Sequence, residues 1–358
     1  MPSLKEIKGR INSISSTLAI TSAMKMVAAA KLQKAQMAIQ NMLPYERRLY
    51  SMLVDLMGAM NISAAASEDG SVRGSGSAER GFDQSGDRLS LSNRHDLAGM
   101  DGAYSLMAQR EVRKVAIVAF ASNSSLCGAF NSNVIREAMA VINEYRASGL
   151  RDSDIVVYSV GRKMAEAMRK LGFPSPADFT KMSDSPSYEA ASALAQELLD
   201  GFVSGRFDKV ELVYNHYKST SSQPTTRQTY LPLSLADATA DLQAGKIADS
   251  ASESDTNRGA EPVGALVVRQ GSPTTEDLIV EPSKEALIAT LLPKVIRLRI
   301  FTTLLDSAAA EHAARTVAMQ LATDNGNDLL QELTLEYNKG RQQKITSEIL
   351  DLVGGSMQ

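Results

Sequence analysis

The sequence predicts an α/β protein: an antiparallel coiled coil of the N- and C-terminal helices, with a Rossmann-like α/β domain inserted between them. Three observations carry this reading. Both ends of the 358-residue chain are long and nearly free of proline, with Pro44 inside the first stretch and Pro293 inside the last. Both ends repeat apolar or small residues at alternating three- and four-residue spacing, which marks a coiled-coil seam. Between them, short apolar runs alternate with amphipathic stretches, as expected of a small parallel or mixed sheet with helical crossovers.

The first helix, residues 1–57, starts at a capping box of Ser3 and Glu6. Its seam reads Leu4, Ile7, Ile11, Ile14, Leu18, Thr21, Ala28, Leu32, Ala35, Ile39 and Met42. At 1.5 Å per residue such a helix reaches roughly 80 Å. Residues 58–111 are rich in Ser, Gly, Asp and Arg, with too few large apolar side chains to offset the entropy of ordering, and read as a flexible insert. The α/β domain covers 112–236. Val115–Phe120 is a continuous apolar run, the mark of a buried central strand. The turn SNSSLCGAFN (122–131) follows, then a helix over 134–145, a strand over Ile155–Val160 and a helix from Gly161 to about residue 171. Tyr188–Val203 is helical, 209–217 is a strand, and Thr225–Leu231 is an antiparallel or edge strand. Residues 237–277 form a second polar insert, interrupted by a short apolar run at 263–268, and 278–283 hold a return strand. The last helix, 284–358, takes Ser283 as N-cap with Glu285 in its first turn, and Gly354-Gly355 ends it. Its seam is Leu291, Val295, Leu298, Thr302, Leu305, Ala309, His312, Thr316 and Met319.

Composition narrows the function classes. A net charge of −3 gives no bulk affinity for nucleic acid, and 5% aromatics without Trp beside 16 Met suit Ala/Leu/Met-rich helices better than a binding-pocket enzyme. Cys127 is the sole cysteine, which excludes an intramolecular disulfide and fits a reducing compartment. No stretch approaches ~18 continuous apolar residues, so membrane association is expected only through a partner. The start Met1-Pro2-Ser3-Leu4 runs straight into helix, leaving no room for a cleavable leader. Charge is uneven: in the first 40 residues Lys5, Lys8, Arg10, Lys25, Lys31 and Lys34 face only Glu6, a basic rod that suits an acidic partner or a solvated face.

Candidates for chemistry are thin. The turn after the first strand sits where an α/β sheet can hold a phosphate at a helix N-terminus, yet it carries Gly128 alone, with neither GxGxxG nor GxxxxGK[ST]. It reads as a tight turn. Cys127 lacks a recognisable base and reads as a small buried hydrophobe. His95, His216 and His312 show no metal-ligand spacing: His95 falls in the first insert, His216 at a strand end and His312 on the seam. No catalytic residue, cofactor or metal is predicted. Ala28-Ala29-Ala30, Ala308-Ala309-Ala310 and Ala313-Ala314 raise helix propensity and thin the seam, so that the helix axes approach closely. The pattern alone leaves open a shaft, a coiled-coil scaffold, or a nucleotide-binding α/β enzyme with helical arms.

At both ends the residues resemble the γ subunit of the F-type ATP synthase. ITSAMKMVAAAKL (20–32) looks like that family's N-terminal signature, ATDNGNDLLQELTLEYNKGRQQKITSEILDLVGG (322–355) is similar to its C-terminal one, and EPSKEALIATLLP (281–293) matches the entry into the last helix. The turn SNSSLCGAFN is similar to the family form SDRGLCGGFN, departing at Asn123, Ser124, Ser125 and Ala129.

The resemblance implies a non-catalytic central rotor shaft that couples rotation of the membrane c ring to ATP synthesis or hydrolysis in the α3β3 hexamer. It implies α and β subunits, an ε subunit and the c ring as partners, at the cytoplasmic face of a bacterial inner membrane. It places Met24 and Lys25 near an acidic loop of β, lets Arg341, Gln342 and Thr346 hydrogen-bond to a β loop, and sets the tip, Ile349, Leu352 and Val353, in an apolar collar. Both inserts exceed the usual bacterial pattern, and a single cysteine excludes the two-cysteine redox insert of the plant-type subunit.

Overall fold

The computed structural model describes residues 3–69, 106, 110–233, 281 and 283–356. The N-terminal helix, α1, spans Leu4–Asp69, and the C-terminal helix, here α6, spans Lys284–Ser356. They run antiparallel: Leu4 lies at Gly340, Leu18 at Gly326, Thr21 at Thr323, Glu46 at Thr302 and Tyr50 at Arg299. Every predicted seam residue from Leu4 to Met42 is buried or half-buried. Toward the C terminus α6 keeps a single inward stripe at 323, 326, 330, 333, 337 and 340, spaced 3-4-3-4-3. That stripe is the coiled-coil period written in burial.

Two glycines on this stripe are explained by their partners. A Cβ at Gly326 would lie 2.6 Å from Leu18 Cδ2, and one at Gly340 would lie 3.1 Å from Leu4 Cδ2. The leucines of α1 fill the space the glycines leave, so the helices stay close.

The inserted domain orders β1 (Val115–Phe120), α2 (Phe130–Ala147), β2 (Ile155–Val160), α3 (Arg162–Lys170), α4 (Thr180–Asp184), α5 (Tyr188–Val203), β3 (Lys209–Asn215) and β4 (Thr225–Leu231). The sheet order is β2-β1-β3-β4, with β1 parallel to both neighbours and β4 antiparallel on the edge. One face of the sheet packs on α2 and α3 through Val134, Ile142, Met164 and Met168. The other face packs on α5 and on the lower coil, where Leu53 of α1 and Leu292 and Ile296 of α6 join Val118, Leu212 and Leu198 in one core. The shaft is thus itself a layer of the domain, not an appendage to it.

Several boundaries differ from the sequence reading. α1 continues through residues 58–69, assigned above to the flexible insert, because the alanine-rich segment Ser63-Ala64-Ala65-Ala66 favours helix. β3 stops at Asn215, since His216 turns away toward α6. α6 runs through Gly354-Gly355 to Ser356, so the glycine pair does not terminate it. The short α4 has no apolar periodicity to announce it. Ser283 does cap α6, accepting from Ala286 N at 3.1 Å, and Ser3 accepts from Glu6 N at 3.3 Å at the start of α1. The expected return strand at 278–280, the run at 263–268 and His95 lie outside the described residues.

Candidate functional site

In an α/β sheet of this order, a ligand would enter at the C-terminal ends of β1 and β3, where the crossovers diverge. Here that crevice is filled from within. Cys127 is 1% exposed and packs with Phe130 against Ala310 of α6. Asn131 Nδ2 donates to Cys127 Sγ at 3.1 Å, and Asn131 Oδ1 accepts from Ser122 N at 3.0 Å, closing the turn on itself. Asn215 Nδ2 donates to the Phe130 carbonyl at 3.0 Å, tying the end of β3 to the start of α2. Asn123 accepts from Arg162 N at 2.7 Å and donates to Thr180 O at 2.7 Å, bracing α3 and α4. A close backbone approach holds this corner: Gly161 has φ +95, and a Cβ there would stand 2.0 Å from Ala121 O.

The same strand ends grip the shaft. Gly128, at φ +57, brings the turn to Ala318, 3.7 Å from the position of a Cβ. Arg315 of α6 donates to Ser124 Oγ at 2.7 Å and pairs with Glu311 at 2.6 Å. Burial pushes the Glu311 carboxyl above its ordinary range, against the opposing pull of Arg315. His312, half-buried on the seam, is driven down to about 4 by burial, with the Arg315 and Lys31 charges acting the same way. It stays neutral near pH 7. Among the described residues, no group of three His, Cys, Asp or Glu could hold a metal ion.

The predicted contact residues fall at two separate levels. Met24 and Lys25 are half-buried on α1, and the Lys25 ammonium donates to Gln320 Oε1 of α6 at 2.6 Å, across the seam. Arg341, Gln342 and Thr346 are exposed on α6, with Thr346 Oγ1 donating to the Gln342 carbonyl one turn earlier. About twenty residues of helix, roughly 30 Å, separate the two levels. Beyond Gly340 no residue of α1 remains to pair with α6, and residues 341–350 are exposed on every side. Ile349, Leu352 and Val353 are 55%, 74% and 50% exposed.

Sequence reasoning missed His216 with Asp306 and Gln36 with Tyr217, which join strand end to shaft. Their members lie 90 and 181 positions apart, so no spacing rule reaches them. The Glu311–Arg315 pair, at i and i+4, was readable.

The family model described as ATP synthase matches residues 3–357. The chain belongs to that family. It is 46% identical over 357 residues to the ATP synthase gamma chain of Phocaeicola vulgatus and 45% identical over 358 residues to that of Bacteroides thetaiotaomicron, covering 100% of both chains in each case. It is 35% identical to the gamma chain of Flavobacterium johnsoniae, covering 99% of this chain and 98% of that one. Full coverage of gamma chains of this length means that the extra residues at 58–111 and 237–277 are not peculiar to this protein. The fold matches the rotor of the Euglena gracilis mitochondrial ATP synthase at TM-score 0.51 and 18% identity, covering 96% of this chain and 98% of that one. A second Euglena structure, of the OSCP/F1/c-ring assembly, matches at TM-score 0.54 and 19% identity, covering 99% and 93%. As an ATP synthase gamma chain, the protein is a central-stalk rotor subunit, and the complex it serves is the enzyme. Among the described residues no helix is long and apolar enough to cross a membrane.

Proposed function

We propose that this gamma chain transmits torque between the c ring and the α3β3 hexamer through surface shape and charge, and contributes no catalytic residue of its own. The observation that carries the reading is the end of α6: a helix that runs on past the start of α1, exposed throughout 341–350, with Ile349, Leu352 and Val353 half-exposed or more. An isolated helix of ~12–15 residues is marginal without tertiary support. A sleeve of α and β subunits around the tip residues Ile349, Leu352 and Val353 supplies that support through apolar contact, which has no direction and so lets the tip turn. Below the tip, Arg341, Gln342 and Thr346 offer hydrogen-bonding groups to a β loop.

Lower on the shaft, the exposed ammonium groups of Lys5, Lys8, Lys31 and Lys34 with Arg10 place positive charge along α1. They face an acidic loop of β that passes Met24 and Lys25 during each turn, a contact that works at range and needs no lasting bond. The α/β domain at 112–236 is the foot. With the lower coil it rests on the c ring and holds the ε subunit, which puts the protein at the cytoplasmic face of the bacterial inner membrane, attached through partners only. The strand ends that could have held a nucleotide are taken up by the shaft, which favours the rotor over an α/β enzyme.

Co-purification tests the proposal. A tagged chain should bring down α, β and ε together, and ATP hydrolysis should require α and β. Micromolar ATP binding by the purified chain alone would sink it.

A further inference from the structure

Besides the shared core, one short loop of the α/β domain reaches both helices of the shaft. Directly after β3, His216 Nδ1 lies 2.6 Å from Asp306 Oδ2, and the Tyr217 N–H donates to Asp306 Oδ1 at 2.9 Å. One carboxylate of α6 therefore holds two groups. The Tyr217 hydroxyl accepts from Gln36 Nε2 at 2.6 Å, tying the same loop to α1. These contacts border a cavity of about 430 Å³ between coil and sheet. The Asp306 side chain is 16% exposed and that of His216 is 50% exposed, so the imidazole exchanges protons with solvent while its partner stays shielded.

We propose that His216 and Tyr217 are positioning residues that clamp the α/β domain onto the shaft, with a grip that tightens when the His216 imidazole is protonated. The neutral imidazole offers Asp306 an ordinary hydrogen bond. The imidazolium offers a charge-assisted one, roughly twice as strong. The geometry favours the charged form: the hydrogen bond to Asp306 holds the His216 pKa above its ordinary 6.5, against burial and against the charge of Lys218 on the same loop. Around the cavity stand Glu46 and Arg47 of α1, Arg299 of α6 and the phenol of Tyr214 on β3. Ordinary carboxylates titrate well below pH 6, and ordinary Arg, Lys and Tyr well above pH 8.5, so histidine is the side-chain type whose ordinary range falls in between. His312, held at about 4, does not change charge there. Because the folded pKa is raised, the added grip is complete below the ordinary value of 6.5 and is lost as pH climbs through the folded one.

The role rests on the rotor reading, since a foot that slips on its axle passes no torque. Its test does not, because the clamp is measured in the isolated full-length chain. Hydrogen exchange read by mass spectrometry over residues 214–219, corrected for the intrinsic effect of pH, reports the grip. Protection should fall about fivefold between pH 6 and pH 8.5 in the wild type, and should be lower and flat in His216→Gln. Flat protection in the wild type, or an unchanged slope in His216→Gln, overturns the proposal. Should that variant not fold, NMR titration of the histidine-labelled chain, with one resonance assigned through His95→Gln, decides the matter. A His216 imidazole titrating above 6.5 supports the clamp, and one titrating at or below 6.5 overturns it.

Discussion

Replacing Leu32 by alanine removes three carbons from an alanine-lined part of the shaft. Leu32 is 7% exposed and rests on Ala309 and Ala313, both 0% exposed, with Ala35 and Ile39 beside it. Losing about 75 Å² of buried apolar surface at ~25 cal/mol per Å² costs about 2 kcal/mol. The alanine neighbours have no rotamers with which to fill the void, so a cavity cost of about 1 to 2 kcal/mol adds to it, inside the usual span for a buried Leu→Ala change. The total, about 3 to 4 kcal/mol, corresponds to a fall in Tm of roughly 6–8 °C at about 2 °C per kcal/mol for a chain of this length. Leu335→Ala is the matched control: the same change on α6 at a residue 65% exposed, expected to move Tm by roughly 1 °C. Circular dichroism melts of the full-length chain read both. A shift below 2 °C for Leu32→Ala, or equal shifts for the two variants, would refute a seam packed within one chain. A Tm that rises with protein concentration would instead indicate helices pairing between chains.

Two further predictions concern charge. Glu211 of β3 is 1% exposed. Burial pushes its carboxyl up, but hydrogen bonds from Arg227, Lys209 and Tyr145 outweigh that and leave its pKa below the ordinary 4.5. Its stabilising share is present above pH about 4.5 and is lost as pH falls through the lower folded value. Acid melts should therefore steepen below pH 4.5 in the wild type and lose that component in Glu211→Gln, itself less stable near pH 7; an identical acid limb in both would contradict the assignment. Arg341→Glu, at an exposed site, should leave Tm within about 1 °C while lowering proton pumping per ATP in the assembled enzyme. Equal pumping per ATP in variant and wild type would count against a torque contact at this level.

The coil was legible because a seam is periodic, and both ends of the chain keep the period. Strands such as Val115–Phe120 were legible because they are buried on both faces and apolar throughout. The period says nothing of where partners meet, however. Gly326 and Gly340 carry no apolar side chain to mark the seam, and prove to be the places where Leu18 and Leu4 enter. Lys25 counts as a free positive charge until Gln320 is placed opposite it. The clamp at His216 needs three elements in register before it exists. The proposed contact surface, Arg341 to Val353, comes only from the family resemblance, since an exposed helix face looks alike whether it meets water or a rotating partner.

Observed rotation tests the central claim most directly. Cys127 is buried, so a new cysteine on the exposed face of α2, such as Arg136→Cys, can take a bead with little competition. With the α3β3 hexamer fixed to a surface and ATP supplied, the account predicts stepwise turning of the bead in one direction, stopping when ATP is removed. ATP hydrolysis by the same assembly with the bead still, or turning in both directions alike, would contradict it.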